Sequence, residues 1–109
     1  MTLNADLLRG YTDSIILQQL MEGDSYGYRI GKAVSELSGG QLELKEATLY
    51  TAFKRLEQAG YIRSYWGSET TGARRRYYSL TETGKAHLLE EKEIWKETRQ
   101  LIGLLLGGI

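Results

Sequence analysis

From Leu7 onward the apolar residues Leu7, Leu8, Tyr11, Ile15, Leu17 and Leu20 recur at roughly helical spacing, and the run stops at Gly23, which suits a left-handed helix end. That pattern predicts a first helix. A second follows, with Asp24 or Ser25 as its cap and Tyr26, Ile30, Ala33, Val34 and Leu37 on one face before Gly39 and Gly40 end it. Gln41 to Leu44 alternates polar and apolar and predicts one short strand. Leu49, Ala52, Phe53, Leu56 and Ala59 then mark a third helical face, ending at Gly60 and starting without a good cap. Residues 61–66 and 74–80 are rich in strand formers and flank a turn-prone stretch, Gly67 to Ala73, which predicts a hairpin. Thr81 is a fair cap for a last helix from about Glu82 to about Leu106. Its Leu88, Trp95 and Ile102 stand seven residues apart, a spacing suited to helix-to-helix contact.

A chain of 109 residues suffices for one core, and 41% hydrophobic with 26% charged residues is ordinary for a globular domain. There is no cysteine, which excludes disulfides and thiolate metal sites and favours a reducing compartment, the cytoplasm. The start of the chain lacks the pattern of a signal peptide, and no apolar run reaches membrane-spanning length. Net charge is zero, yet unevenly placed: between Asp24 and Leu80 there are nine Lys and Arg against six Asp and Glu, while the ends hold five against eight. The middle of the chain is its basic part, and location matters more than the sum.

Three helices, a hairpin and an added terminal helix form the order of a winged helix-turn-helix: α+β, mostly α, with a long C-terminal dimerisation helix. Residues 1–80 would be the DNA-binding part and 81–109 the dimerisation helix of one compact unit. In this layout the third helix enters the major groove of double-stranded DNA. With its apolar face inward, Thr48, Tyr50, Thr51, Lys54, Arg55 and Gln58 point mostly outward, offering hydroxyls to base edges and cations to phosphates. Arg74, Arg75 and Arg76 lie on the hairpin, and strand alternation puts Arg74 and Arg76 on one face and Arg75 on the other. Tyr26 is a further DNA-side candidate. The plainer alternatives are a solvated basic strand edge for the arginines and packing between the second and third helices for Tyr26, Tyr28 and Tyr50.

The combination of Asp24-Ser25-Tyr26-Gly27-Tyr28-Arg29-Ile30, Glu46-Ala47-Thr48-Leu49-Tyr50-Thr51-Ala52-Phe53-Lys54-Arg55-Leu56-Glu57, Ser64-Tyr65-Trp66 and Gly72 to Thr81 resembles the PadR family of bacterial regulators. Within it, the chain resembles the short branch that includes a lactococcal multidrug-sensing repressor. The resemblance covers nearly the whole chain. It implies a homodimer that binds an inverted-repeat operator, with the C-terminal helices exchanging contacts across the twofold axis. Ala47 and Thr51 depart from the Gly and Pro of many family members, a departure shared with that branch. Trp95 matches a tryptophan that stacks, from both protomers, on a flat aromatic ligand at the dimer centre. Aromatic contacts of that kind are worth roughly 0.5–1.5 kcal/mol each beyond area burial. Leu7, Gly10, Asp13 and Ser14 match positions lining the same pore. Lys92 and Arg99 stand where that branch has an aromatic and an acidic residue, which favours an anionic or neutral planar effector over a cationic one.

Together these observations predict a cytoplasmic, dimeric repressor released from its operator by a planar hydrophobic small molecule, with no cofactor and no metal. The alternative is a winged-helix module for protein or RNA, which the neutral overall charge favours. Catalysis has no support: the lone His87 has no cysteine, no metal-spaced partners and no phosphate-binding loop beside it, and reads as a surface or interface residue.

Overall fold

A computed structural model describes residues 5–68, 72 and 74–108, giving the backbone alone for residues 5–7. The first predicted helix has two parts. A 3-10 segment, Ala5–Tyr11, leads into α1, Thr12–Met21, where the Thr12 hydroxyl reaches back to the Leu8 carbonyl at 3.5 Å. Tighter 3-10 turns are a common way for a helix to begin. α2 is Gly27–Leu37, α3 is Glu46–Gln58 and α4 is Glu82–Leu105.

The sheet differs from the sequence reading at its third strand. β2, Ile62–Trp66, and β3, Arg76–Leu80, form the expected antiparallel hairpin, with Ile62 opposite Leu80 and Trp66 opposite Arg76. The strand on the far side of β3 is β1, Ser25–Tyr26, pairing Ser25 with Tyr78 and Tyr26 with Tyr77. Residues 41–44 form no strand, because the place beside β3 is already taken. That segment is instead tied down as a turn: Ser38 Oγ accepts from the Leu42 amide at 3.0 Å, and the Ser35 hydroxyl donates to Glu43 at 2.6 Å. Since Ser25 is spent on the sheet, neither it nor Asp24 caps α2, whose N-cap is Tyr26 without a side-chain bond.

The core lies where α1, α2 and α3 meet the sheet. Ile16 and Leu17 of α1, Ile30 of α2, Phe53 and Leu56 of α3, Ile62 of β2 and Leu88 of α4 are fully enclosed. The Phe53 ring stacks on Tyr78 of the central strand with centroids 4.0 Å apart, which fixes α3 against the sheet. Leu37, read as part of the inward face of α2, is exposed, since only Ile30 and Val34 of that face reach the core. Ala59 likewise lies outside, just past the end of α3, where Gly60 takes a positive φ of 81° to turn the chain into β2.

α4 departs from the body of the protein. Thr81 caps it as predicted, its hydroxyl oxygen accepting from the Gly84 amide at 3.0 Å, and Gly84 and Leu88 are buried against the hairpin and α1. Beyond them the helix passes Tyr11, with Gly103 buried and Trp95, Leu101, Ile102 and Leu105 all exposed. Its 24 residues make a rod about 36 Å long.

Candidate nucleic-acid interface and effector hollow

α3 buries Leu49, Ala52, Phe53 and Leu56, so the opposite side of the helix carries Ala47, Thr51, Lys54 and Gln58 as its outermost line. All four are exposed. Tyr50 lies to one side of this crest and Thr48 and Arg55 to the other. The start of α3 has no side-chain cap, as its sequence suggests: Lys45 holds the N-cap position in extended conformation.

The Tyr50 side faces α2. There the two helices enclose a hollow of about 610 Å³, with buried Leu49 and Phe53 beneath and exposed Tyr28 and Tyr50 at the rim. Tyr50 touches Phe53 edge to face at 6.4 Å yet stays 56% exposed, so packing uses only part of its ring. The Arg55 side faces α1. Thr48, Thr51 and Arg55 share a smaller hollow there with Arg9 and Thr12, and Arg55 Nε donates to Asp13 Oδ2 at 3.1 Å while its Nη2 donates to Oδ1. The hydrogen bond to Asp13 holds the Arg55 guanidinium above its ordinary pKa. Lys54, between the two flanks, has no ion-pair partner among the described residues.

The expected strand from Arg74 starts only at Arg76, with Arg74 and Arg75 in the stretch before it, yet the three arginines still divide between two sides. Arg74 and Arg76 both stand over the Trp66 ring, at 5.9 and 5.7 Å, whereas Arg75 stands 4.8 Å over Tyr26. Arg76 also donates to Ser64 Oγ at 2.7 Å and lies 3.8 Å from Glu57 of α3, and Ser64 donates to the same carboxylate at 2.7 Å. The wing is thereby tied to the third helix. β1 pairs only with Tyr77 and Tyr78 of β3, so at Arg76 the strand is paired on the β2 side alone. Tyr26 is half-buried, edge to face with Tyr77 at 5.2 Å and under the Arg29 guanidinium at 4.8 Å; it braces the wing against α2. Tyr65 continues the stack on Tyr77 and donates to Asp24 at 2.6 Å, a bond that raises the phenol's pKa.

The residues matched to an effector pore fall mainly between α1 and α4. Ser14, Lys92 and Trp95 line a hollow of about 480 Å³, and Trp95 and Arg99 line an adjoining one of about 400 Å³ that shares Tyr11 and Thr98. The Arg99 guanidinium rests 5.0 Å over the Trp95 ring. Gly10 leaves open space around itself, and the Leu7 side chain lies outside the described residues. Asp13 is turned away from this hollow, toward Arg55. Two further lining residues, Tyr11 and Gln18, escape the sequence reading. Gln18 carries a buried carbonyl oxygen without a partner, and Tyr11 is 40% exposed. No sequence signal separates Gln18 from the other polar residues of α1, among them its neighbour Gln19.

Among the described residues no cluster of three potential metal ligands occurs, and no helix is long and apolar enough to cross a membrane. His87 is half-buried and stacks flat on Tyr61 at 4.2 Å.

Residues 16–90 match the model of the transcriptional regulator PadR-like family. A transcriptional regulator from Clostridium thermocellum is 45% identical, covering 94% of this chain and 96% of its own, with a TM-score of 0.85. A PadR family transcription regulator from Clostridium difficile is 40% identical over 89% of this chain and 99% of its own, at a TM-score of 0.79. An uncharacterized protein of Lysinibacillus sphaericus is 41% identical over 96% of both chains. Regulators of the matched family are DNA-binding proteins without enzymatic activity.

Proposed function

Because the chain belongs to the PadR-like family of transcriptional regulators, we propose that it acts as a homodimeric repressor of an inverted-repeat operator, released by a planar hydrophobic molecule. α3 enters the major groove crest first. Thr51 and Lys54 approach the duplex directly, Thr48, Tyr50 and Arg55 approach from its flanks, and Arg74, Arg75 and Arg76 meet the neighbouring phosphates. Tyr26 takes part through the cations stacked on it. The reading is carried by one observation: a helix crest of hydroxyl, cation and amide groups stands exposed beside a wing whose Arg76 is tied to that same helix through Glu57.

The exposed apolar side of α4 supplies the second copy's contact. Two Trp95 rings brought together there enclose the α1/α4 hollow, with Tyr11 and Ser14 from one side and Lys92 and Arg99 as cations facing the effector. An anionic or neutral aromatic fits that charge.

The test is a titration against a duplex spanning the region upstream of its own reading frame, at several salt concentrations. Affinity falls steeply with salt, and Lys54→Gln lowers the log–log slope by about 0.9, one phosphate contact. Anthraquinone sulfonate, planar and anionic, quenches tryptophan emission and weakens the complex. Trp95→Ala removes the quenching, leaving the Trp66 emission as internal control. Absent or salt-insensitive binding overturns the DNA reading, and quenching that leaves operator affinity unaltered overturns the sensing one.

A further inference from the structure

Arg55 belongs to the DNA-facing part of the proposed function, and in this structure Asp13 of α1 holds it. The pair joins residues 42 positions apart, Arg55 Nε donating to one carboxylate oxygen and Nη2 to the other. This two-bond fork is the strongest way a guanidinium and a carboxylate can meet. It engages the cation on the flank of α3 that faces α1, beside Thr48 and Thr51. One residue further along α1, Ser14 lines the hollow that α1 shares with α4 and Trp95. Neighbouring residues of one helix turn, about 100° apart, therefore touch the reading helix on one side and the effector hollow on the other.

We propose that the Asp13–Arg55 pair is a charge lock: closed, as here, it withholds one cation of α3 from DNA, and a shift of α1 against α3 frees it. The proposal rests on the DNA and effector reading above and adds its linkage. The lock is half open to water, its side chains 53% and 35% exposed, so a modest displacement suffices to exchange the carboxylate for a phosphate oxygen. An effector that seats α1 in the arrangement seen here keeps the lock closed and the operator affinity low. Operator DNA favours the open form, and the two ligands oppose each other by the same factor in both directions.

Asp13→Asn keeps the shape and removes the charge. The variant binds the upstream duplex more tightly than the parent, since no pair has to break before Arg55 meets a phosphate. Anthraquinone sulfonate then lowers its operator affinity by a smaller factor than in the parent. Approached from the other side, Arg55→Gln lowers operator affinity by a smaller factor in the parent, where losing the contact also removes the cost of breaking the pair, than in the Asp13→Asn background, where it erases the gain. The Arg55→Gln comparison stands even if Asp13→Asn lowers the melting temperature. Equal or weaker binding by folded Asp13→Asn, or an Arg55→Gln loss as large in the parent as in Asp13→Asn, overturns the lock while leaving salt-dependent DNA binding intact. Loss of DNA binding by the parent itself overturns the function on which it depends.

Discussion

A single hydrogen is all that the α4 start tolerates at Gly84. A β-carbon there would sit 2.0 Å from the Tyr61 carbonyl oxygen and 2.9 Å from Leu80 Cδ1, so the backbone itself would have to move. Gly84→Ala is expected to destabilise the fold by about 1–3 kcal/mol despite alanine's better helix propensity, as overpacking of a filled site does. A denaturation midpoint equal to the parent's would show slack at this junction. The sequence gives no hint of the constraint, because Gly84 reads as an ordinary residue two places into a helix. Thr81, by contrast, is legible from its type and position alone, since a short side chain with an acceptor oxygen folds back readily onto the Gly84 amide. The residues that carry cation chemistry are legible by type and not by partner. Nothing in the chain order of Asp13 and Arg55, or of Glu57 and Arg76, announces that they pair; folding brings them together.

Among the elements, the four helices are legible from apolar spacing because each buries one stripe and exposes the rest. β1 is not legible: it is two residues long, and its partner strand lies at the far end of the domain. The alternation at residues 41–44 mimics a strand, since Leu42 and Leu44 pack inward from a turn; only Leu42 is fully buried. In α4 the heptad spacing of Leu88, Trp95 and Ile102 is real, yet only Leu88 finds the core of its own chain. The remaining apolar stripe is the proposed partner surface. Replacing Leu101 and Leu105 together by Asp places charge in that seam, and sedimentation at micromolar concentration should then give a monomer with an intact winged-helix circular dichroism signal. A double variant that still sediments as a dimer would exclude α4 as the seam.

At the scale of the whole molecule, the body is small and one long rod projects from it, the principal extents being 56, 32 and 21 Å. A rod so exposed and apolar is stabilised in water when a second copy covers it, so association adds to the stability of the fold. The thermal midpoint should accordingly rise with protein concentration, whereas a midpoint independent of concentration would point to a self-sufficient monomer. Trp66 emission, from the wing, and Trp95 emission, from the rod, should report the same transition if the molecule melts as a unit.

The central position of β3 has its own mechanical outcome. One edge of that strand holds the wing's outgoing arm and the other is stitched to the residues just ahead of α2, with Tyr77 wedged between Tyr65 and Tyr26. The wing cannot flex like a free flap. A tug on its arginines by the sugar-phosphate ladder is passed to the root of α2, so grip and reading head tilt together against the duplex.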